Sequence, residues 1–92
     1  MALTFEWDEG KARRNLQKHG LSFEEAVTAF GDPRSLTTPD PDHSASEERF
    51  ILLGKSQQGR IVVVVHVERG ENLRIISARP ASRKERTQYA EG

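Results

Sequence analysis

The feature that most constrains the fold is an unbroken run of β-branched residues at positions 61–65, which ends on His66. β-Branched side chains favour extended backbone, so the run predicts a strand that covers residues 60–68. Turn-forming residues precede this strand at positions 56–59 and follow it at positions 69–72. The sequence therefore predicts a series of antiparallel strands in the second half of the chain, with neighbouring strands at 50–53 and 73–79.

Helices are predicted in the first half of the chain and at its end. Asp8 is suited to an N-cap and Gly20 to the left-handed position that ends a helix, so a first helix is expected over residues 9–19. Ser22 and Glu25 have the spacing of a capping box, which opens a second helix that ends at residues 31–33. A short basic helix is expected over residues 82–89.

These elements predict an α+β fold. An N-terminal αα-hairpin packs on a four-stranded, mainly antiparallel meander sheet, and a C-terminal helix follows. Residues 36–38 form a short strand of this meander, and residues 4–7 are expected to form a short edge strand. A chain of 92 residues has the size of a single domain, so residues 1–92 are assigned to one unit.

The composition excludes several classes of function. The chain has no cysteine, no apolar run of membrane-spanning length and no N-terminal secretory pattern, so a soluble cytoplasmic protein is expected. Its three histidines lack the spacing of metal ligands, and Asp42 and His43 lie in a predicted turn, so neither a metal nor another cofactor is expected. Glycine-rich phosphate loops and nucleophile elbows are also absent.

The charge distribution favours a partner that carries negative charge. The formal net charge is zero, but residues 1–48 carry a net charge of −5 and residues 49–92 a net charge of +5. Such asymmetry fits an acidic scaffold with a basic working face. The simpler interpretation is that both surfaces are merely solvated.

A provisional register suggests which residues share the working face. If Glu68 pairs with Leu73 across the turn at 69–72, then His66 pairs with Ile75, and one face carries His66, Ser77 and Arg79. A similar register across residues 56–59 would place Arg49 opposite His66. The other face would be apolar and pack against the helices; it carries Ile61, Val63, Val65, Val67, Ile76 and Ala78.

This grouping suggests cleavage of RNA, whose 2′-hydroxyl supplies the nucleophile. His66 would act as acid or base, Arg49 and Arg79 would bind the phosphate, and Tyr89 would help to orient the substrate. The alternative is a non-catalytic module that only binds nucleic acid or a protein partner. Taken alone, His66 would also fit a structural role at a strand end. Further RNA contacts are predicted for Lys18, Arg60, Arg69, Arg74, Arg83 and Arg86.

Several motifs resemble those of the BrnT family, toxins of type II toxin–antitoxin pairs. The motifs are Phe5-Glu6-Trp7-Asp8, Asn15-x-x-Lys18-His19-Gly20, Ser22-Phe23-Glu24-Glu25-Ala26, Asp42-His43-Ser44, Glu48-Arg49, Gly59-Arg60 and Arg74-Ile75-Ile76-Ser77-Ala78-Arg79. The resemblance runs from Phe5 to about Tyr89. The family motif positions in this chain are Lys18, His19, His43, Arg49, Arg60, Arg79, Glu85 and Tyr89.

The resemblance implies a RelE-like fold and a metal-independent ribonuclease that halts translation. It also implies neutralisation by a BrnA-type antitoxin in a heterotetramer, in which only the antitoxin contacts operator DNA. The neutral charge balance departs from the basic character of many RNA-cleaving toxins.

Overall fold

The computed structural model describes residues 3–41 and 48–92, and within them one five-stranded sheet is covered by three helices. A single 3-10 turn at Ala29–Gly31 continues the second helix. The elements in chain order are β1 (Thr4–Glu6), α1 (Glu9–His19), α2 (Phe23–Thr28), β2 (Leu36–Pro39), β3 (Arg49–Lys55), β4 (Ile61–Arg69), β5 (Asn72–Pro80) and α3 (Arg83–Glu91). The predicted α+β class is confirmed. None of the helices in the described residues is long and apolar enough to span a membrane.

The helix ends follow the capping residues. The Asp8 side chain accepts a hydrogen bond from the Lys11 backbone N–H at 2.9 Å and so begins α1. Gly20 ends it with φ 67°. At α2, the Ser22 hydroxyl accepts from the Glu25 N–H at 3.0 Å, but the Glu25 carboxylate turns away to Arg60. The capping box predicted at α2 is therefore only half formed, because an ion pair holds its carboxylate. α3 begins with a complete capping box.

The strand order is β1-β5-β4-β3-β2. Strands β2 to β5 pair antiparallel in sequence order, and β1 pairs in parallel with β5, with Thr4 opposite Asn72. The sheet thus has five strands where four were expected. Because β1 is short, it pairs with the free edge of β5 only from Asn72 to Arg74.

A β-bulge in β5 changes the predicted register. The expected pairs Glu68–Leu73 and His66–Ile75 are both observed, but the register then shifts and Ile76 has no partner on β4. Such a bulge moves every later residue of the strand by one position relative to its neighbour. The predicted grouping of faces is therefore wrong beyond this point.

The sheet has two different faces, which we call inner and outer. The inner face packs against α1, α2 and the 3-10 turn. Its buried strand residues are Leu52, Val62, Val64, Ile75 and Ala78. On the outer face, Leu53 and Val63 of the sheet pack with Tyr89 of α3 and with Ala81, which lies just before that helix. The face that carries Val63 was expected to pack against the helices, and the helix that it meets is α3, whereas α1 and α2 cover the other face. The sequence did not reveal this division, because β4 is covered on both sides and its apolar run is compatible with either face.

Asn15 closes the part of the β5 edge that β1 leaves open. Its Nδ2 donates to the carbonyl oxygens of Ala78 at 2.7 Å and Leu21 at 3.0 Å, and its Oδ1 accepts from the Ala78 N–H at 3.1 Å. The amide of this buried side chain therefore replaces the hydrogen bonds of a neighbouring strand. It also ties α1 to the sheet.

Candidate nucleic-acid interface

Three arginines lie on the outer face. Arg79 of β5 pairs with Val63 of β4. Val67 of β4 pairs with Arg49 of β3 on one side and with Arg74 of β5 on the other. Directly paired residues project from the same face of a sheet, so all three guanidinium groups belong to the face that α3 covers at one end. The row of Arg79 and the row of Val67 are four residues apart on β4, which corresponds to about 13 Å.

Arg79 is held in a bidentate ion pair. Its Nη1 and Nη2 donate to Oε1 and Oε2 of Glu85, each at 2.8 Å. The Arg79 hydrogen bonds lower the pKa of Glu85 to about 2, and the same bonds raise the pKa of Arg79. The Arg79 side chain remains 44% exposed, so an incoming anion can reach its guanidinium group.

Arg49 and Arg74 differ in how they are held. Arg74 donates to Glu6 of β1 at 3.1 Å, and that carboxylate also accepts from Asn72 at 3.1 Å. Arg49 is half-buried, and its Nε is a buried donor for which the described residues provide no acceptor. A buried donor left without a partner costs free energy, so an acceptor from a bound molecule would be favourable there.

His66 does not join these arginines. Its side chain is only 3% exposed and lies on the inner face, with ring centroids 4.9 Å from Phe30 and 6.0 Å from Phe50. Its Nδ1 lies 3.3 Å from the Val64 carbonyl oxygen. Burial lowers the pKa of His66, which favours the neutral imidazole. The predicted shared face with Arg79 is wrong, because the bulge puts the two residues on opposite sides of the sheet.

The position predicted opposite His66 is also one residue off. Arg49 pairs with Val67, and Phe50 pairs with His66. The observed pairing of β3 with β4 therefore differs from the provisional register by one residue. A shift of one residue moves each side chain of β3 to the face opposite the predicted one. That change places Arg49 on the outer face, which it shares with Arg79.

Tyr89 anchors α3 to the fold. The residue is 7% exposed, and its hydroxyl donates to Asp32 Oδ2 at 2.6 Å. This hydrogen bond raises the pKa of Tyr89. The same Asp32 oxygen accepts from the Lys55 N–H at 2.8 Å, so one carboxylate joins α3 to the end of β3. The geometry gives Tyr89 a structural position rather than the predicted contact with substrate.

Arg60 also belongs to a structural network. It donates to both carboxylate oxygens of Glu25, at 3.0 and 2.8 Å, and to the Gly20 carbonyl oxygen at 3.0 Å. Ser56 donates to the same carboxylate at 2.8 Å. The hydrogen bonds from Arg60 are the main reason that the pKa of Glu25 is lowered. Arg60 thereby joins the loop between α1 and α2 to the beginning of β4.

The other predicted RNA contacts are scattered. Arg83 and Arg86 are exposed on α3, and Arg86 donates to the Ala81 carbonyl oxygen at 3.0 Å. Arg69 is the last residue of β4, where it pairs with Asn72. Lys18 lies on α1 and not on the strands that carry the three outer-face arginines. It borders a cavity of about 330 Å³ at the β5 edge.

Sequence reasoning missed a basic stripe on α1. Lys11, Arg14 and Lys18 line the same cavity as His19 and the bulged Ile76. Their spacing of three and four residues places them on one side of a helix, and this periodicity was the signal that could have revealed them. The stripe is a second cationic surface, next to residues 76 and 77 of β5.

Two further expectations concern metals and His43. His43 and the Asp42 beside it lie outside the described residues. Within residues 3–41 and 48–92, no group of three or more His, Asp or Glu side chains is arranged to hold a metal ion. The candidate interface therefore consists of arginines on a partly covered sheet face, an arrangement suited to phosphate groups.

The comparisons identify the family. A small α+β domain that presents arginines from one face of its sheet is suited to binding a polyanion such as nucleic acid. The family model described as "Ribonuclease toxin, BrnT, of type II toxin-antitoxin system" matches residues 7–85. The chain therefore belongs to the BrnT family of ribonuclease toxins of type II toxin–antitoxin systems, as the sequence motifs had indicated.

A solved structure agrees with this assignment. The ribonuclease toxin BrnT of Brucella abortus is 27% identical to the chain, with a TM-score of 0.61. The similarity covers 89% of this chain and 100% of the Brucella chain. The comparison with curated proteins gives no match. Membership of the family makes the chain the toxin of its pair and a ribonuclease.

Proposed function

We propose that the chain is a metal-independent endoribonuclease that cleaves single-stranded or ribosome-bound mRNA in the cytoplasm and thereby inhibits translation. The observation that carries this proposal is the placement of Arg49, Arg74 and Arg79 on one partly open face of the sheet. Their charge is permanent, and a guanidinium group binds two phosphate oxygens at once.

The reaction begins with the substrate's own 2′-hydroxyl. Its oxygen attacks the adjacent phosphorus, the bond from phosphorus to the 5′ oxygen breaks, and a 2′,3′-cyclic phosphate forms. The proton leaves the 2′-oxygen, and the departing 5′ oxygen takes up a proton. Arg79 and Arg49 stabilise the extra negative charge on the pentacovalent phosphorus, which is the charge that develops only in the transition state.

The ion pair with Glu85 prepares Arg79 for this role. Two parallel hydrogen bonds of 2.8 Å fix the plane of the guanidinium group, and the capping box of α3 holds Glu85 in turn. A group fixed before the substrate binds loses little conformational entropy when it meets the phosphate. We assign no acid–base role to His66, since its imidazole lies in the inner core.

Expression without a partner protein tests the proposal in cells. The wild-type chain should arrest growth and lower protein synthesis, and Arg79→Ala or Arg49→Ala should relieve the arrest at an unchanged protein level. Arg13→Ala, which removes an exposed arginine of α1, is the matched control and should remain toxic. Normal growth with abundant folded wild-type protein would refute the enzymatic function and favour the non-catalytic binding module.

Purified protein tests the chemistry. Cleavage of single-stranded RNA should continue in EDTA, produce 2′,3′-cyclic phosphate ends and stop when the nucleotide before the scissile bond lacks its 2′-hydroxyl. Cleavage of the 2′-deoxy substrate would contradict attack by the 2′-oxygen. Loss of activity in EDTA that added Mg²⁺ restores would contradict a metal-independent reaction.

The antitoxin is the second part of the proposal. We infer that a BrnA-type antitoxin packs near Arg74, Arg79 and α3, blocks access of RNA, forms a heterotetramer and supplies all contacts to operator DNA. Arg83 of α3 is exposed, and no ion pair holds it within the described residues. Charge attraction at such a surface accelerates association and weakens as salt screens it.

Stopped-flow association across a salt series tests this contact. Arg83→Ala and Arg74→Ala should slow association with the antitoxin most at low salt, whereas Arg13→Ala should have little effect. Rates that depend on neither salt nor these substitutions would remove the electrostatic contribution. An antitoxin footprint restricted to the acidic residues 1–48 would refute the position.

A further inference from the structure

A cavity of about 440 Å³ opens where α3 crosses the outer face. Its floor is formed by aliphatic side chains of the sheet, among them Ile51, Leu53 and Val63. Its polar lining residues are Glu85 and Gln88 of α3 and Thr38 of β2. The volume is within the range of roughly 300–1,000 Å³ that is typical of small-molecule sites.

The position of the cavity links it to the proposed phosphate site. The Glu85 carboxylate that lines it is the one that binds Arg79 at 2.8 Å. Glu85 therefore contacts both the Arg79 cation and the apolar cavity, so the two are neighbours on the outer face. A nucleotide has the same order of groups, since its phosphate and its base are joined by one sugar. A phosphate bound at Arg79 would bring a base of the same strand to the cavity.

The chemistry of the lining also fits a base. Nucleobases have flat, weakly polar faces and strongly polar edges, and proteins bind them in single strands by covering the face and bonding to the edge. Here aliphatic side chains form most of the lining, and α3 and Thr38 of β2 contribute the polar groups. A fatty or purely aliphatic ligand would leave the Gln88 amide without a partner.

The geometry points to a site for one unpaired RNA base beside Arg79, with Gln88 as a residue that determines which base is preferred. This inference rests on the proposed ribonuclease function and specifies the recognition that accompanies it. Adenine, cytosine and guanine carry an exocyclic amino group that donates hydrogen bonds, and uracil carries none. A carboxylate accepts only, and the Gln88 carbonyl is a second acceptor. Amino-bearing bases should therefore be preferred to uracil.

Gln88 is the better position for substitution. Glu85 cannot be changed without loss of the α3 capping box and the Arg79 ion pair, both of which are structural. Gln88 is exposed on α3, and the described residues give its side chain no hydrogen-bond partner. Gln88→Ala removes the amide, and Gln88→Lys replaces it with a group that only donates. The exposed Gln17 of α1 provides the matched control, Gln17→Ala.

The test is cleavage of a randomised single-stranded RNA pool by purified wild-type and variant proteins, with the cut ends read by sequencing. For the wild-type protein, one position near the scissile bond should favour adenine, cytosine or guanine over uracil. Gln88→Ala should weaken that preference by roughly threefold to tenfold, the worth of about one hydrogen bond. Gln88→Lys should shift it towards uracil, whose two carbonyl oxygens accept, and Gln17→Ala should leave it unchanged.

A second variant tests the cavity itself. Thr38→Trp, on the exposed strand β2, would fill the space from the side, and aromatic residues are well tolerated in strands. It should raise KM for RNA more than it lowers kcat.

If both Gln88 variants cleave with the wild-type base profile, the inference is wrong. The same holds if Gln88 and Thr38 variants weaken only antitoxin binding, since the cavity would then receive an antitoxin side chain. A wild-type protein that cleaves no RNA would refute the proposed function itself, an outcome distinct from an unchanged profile.

Discussion

The inner and outer faces of the sheet use polar residues in opposite ways. On the inner face, His66 and Asn15 are buried, and their hydrogen bonds go to backbone groups of the same chain. On the outer face, Arg79 keeps 44% of its side chain exposed although a carboxylate holds it. Buried polar groups stabilise a fold only when they are satisfied internally, whereas exposed cations remain available to a ligand. The comparison predicts that inner-face substitutions change stability and outer-face substitutions change activity.

The largest effect is expected at Arg49. Arg49→Ala should lower kcat/KM for RNA cleavage by roughly a hundredfold to a thousandfold, the usual result of removing one charge-stabilising donor. The free energy of unfolding should change little, because the described residues give its Nε no hydrogen bond to lose. Parallel kinetics and urea denaturation would measure both quantities. If Arg49→Ala unfolds readily and its activity falls only in proportion to the unfolded fraction, the comparison of the two faces is contradicted.

Asn15 should show the converse. Asn15→Leu removes three hydrogen bonds and leaves the buried peptide groups of Ala78 and Leu21 unpaired. We expect the free energy of unfolding to fall by about 3 kcal/mol, since each buried unpaired group costs about 1–3 kcal/mol. Gln17→Leu on the exposed side of α1 is the control for the leucine substitution. If the free energy of unfolding falls less in Asn15→Leu than in the control, the edge of β5 does not need the hydrogen bonds of Asn15.

His66 provides the most direct test of the two faces. His66→Ala should lower the free energy of unfolding by about 2–3 kcal/mol, as expected for truncation of a buried ring. The folded fraction should retain its specific ribonuclease activity. Denaturant titration combined with active-fraction kinetics would separate these effects. A variant of normal stability without activity would restore His66 as the acid or base.

Tyr89 should behave like the buried inner-face residues, although it belongs to α3 and packs on the outer face. Tyr89→Phe removes one hydroxyl and its 2.6 Å hydrogen bond to Asp32, so we expect a stability loss of about 1 kcal/mol. The kcat of the folded protein should be unchanged, because the hydroxyl is occupied within the fold. A large fall in kcat without loss of stability would support the original prediction that Tyr89 orients the substrate.

The smallest effect is a dependence of stability on pH. Burial lowers the pKa of His66 in the folded protein, so the unfolded chain binds a proton more readily below the usual histidine pKa of about 6.5. Stability should therefore fall gently as the pH decreases below about 6.5. The lowered pKa values of Glu25 and Glu85 act only at more acidic pH, below their ordinary value of 4.5. His66→Leu should flatten the slope between pH 7 and pH 5, and an unchanged slope would refute the assignment.

The elements were predictable because their signals are local. Asp8 and Gly20 are the cap residues of α1, and the helix has the predicted bounds of residues 9–19. The turn at residues 69–72 and the pairs next to it were also predicted correctly. Each of these features depends on side chains that act on backbone groups a few residues away.

The site was predicted only in part. Arg49 and Arg79 do share a face, but the register that was used to group them is wrong. The bulge at Ile76 has no sequence signature such as glycine, and it reverses the face of every later residue on β5. The role of Tyr89 at the substrate stays a prediction, and its hydrogen bond to Asp32 was not predictable because that partner lies 57 positions away in the chain. No local pattern carries that information.

The sequence by itself determined the helices, the strand run and the family, through caps, turns, β-branched residues and motifs that span nearly the whole chain. Tertiary structure decided which residues are available to a ligand. The apolar run of β4 is compatible with either face, since both of its sides are covered, and the choice follows from how α1, α2 and α3 pack on the sheet. A side chain becomes a hydrogen-bonded part of the core or an accessible cation according to that packing, which joins residues far apart in the chain.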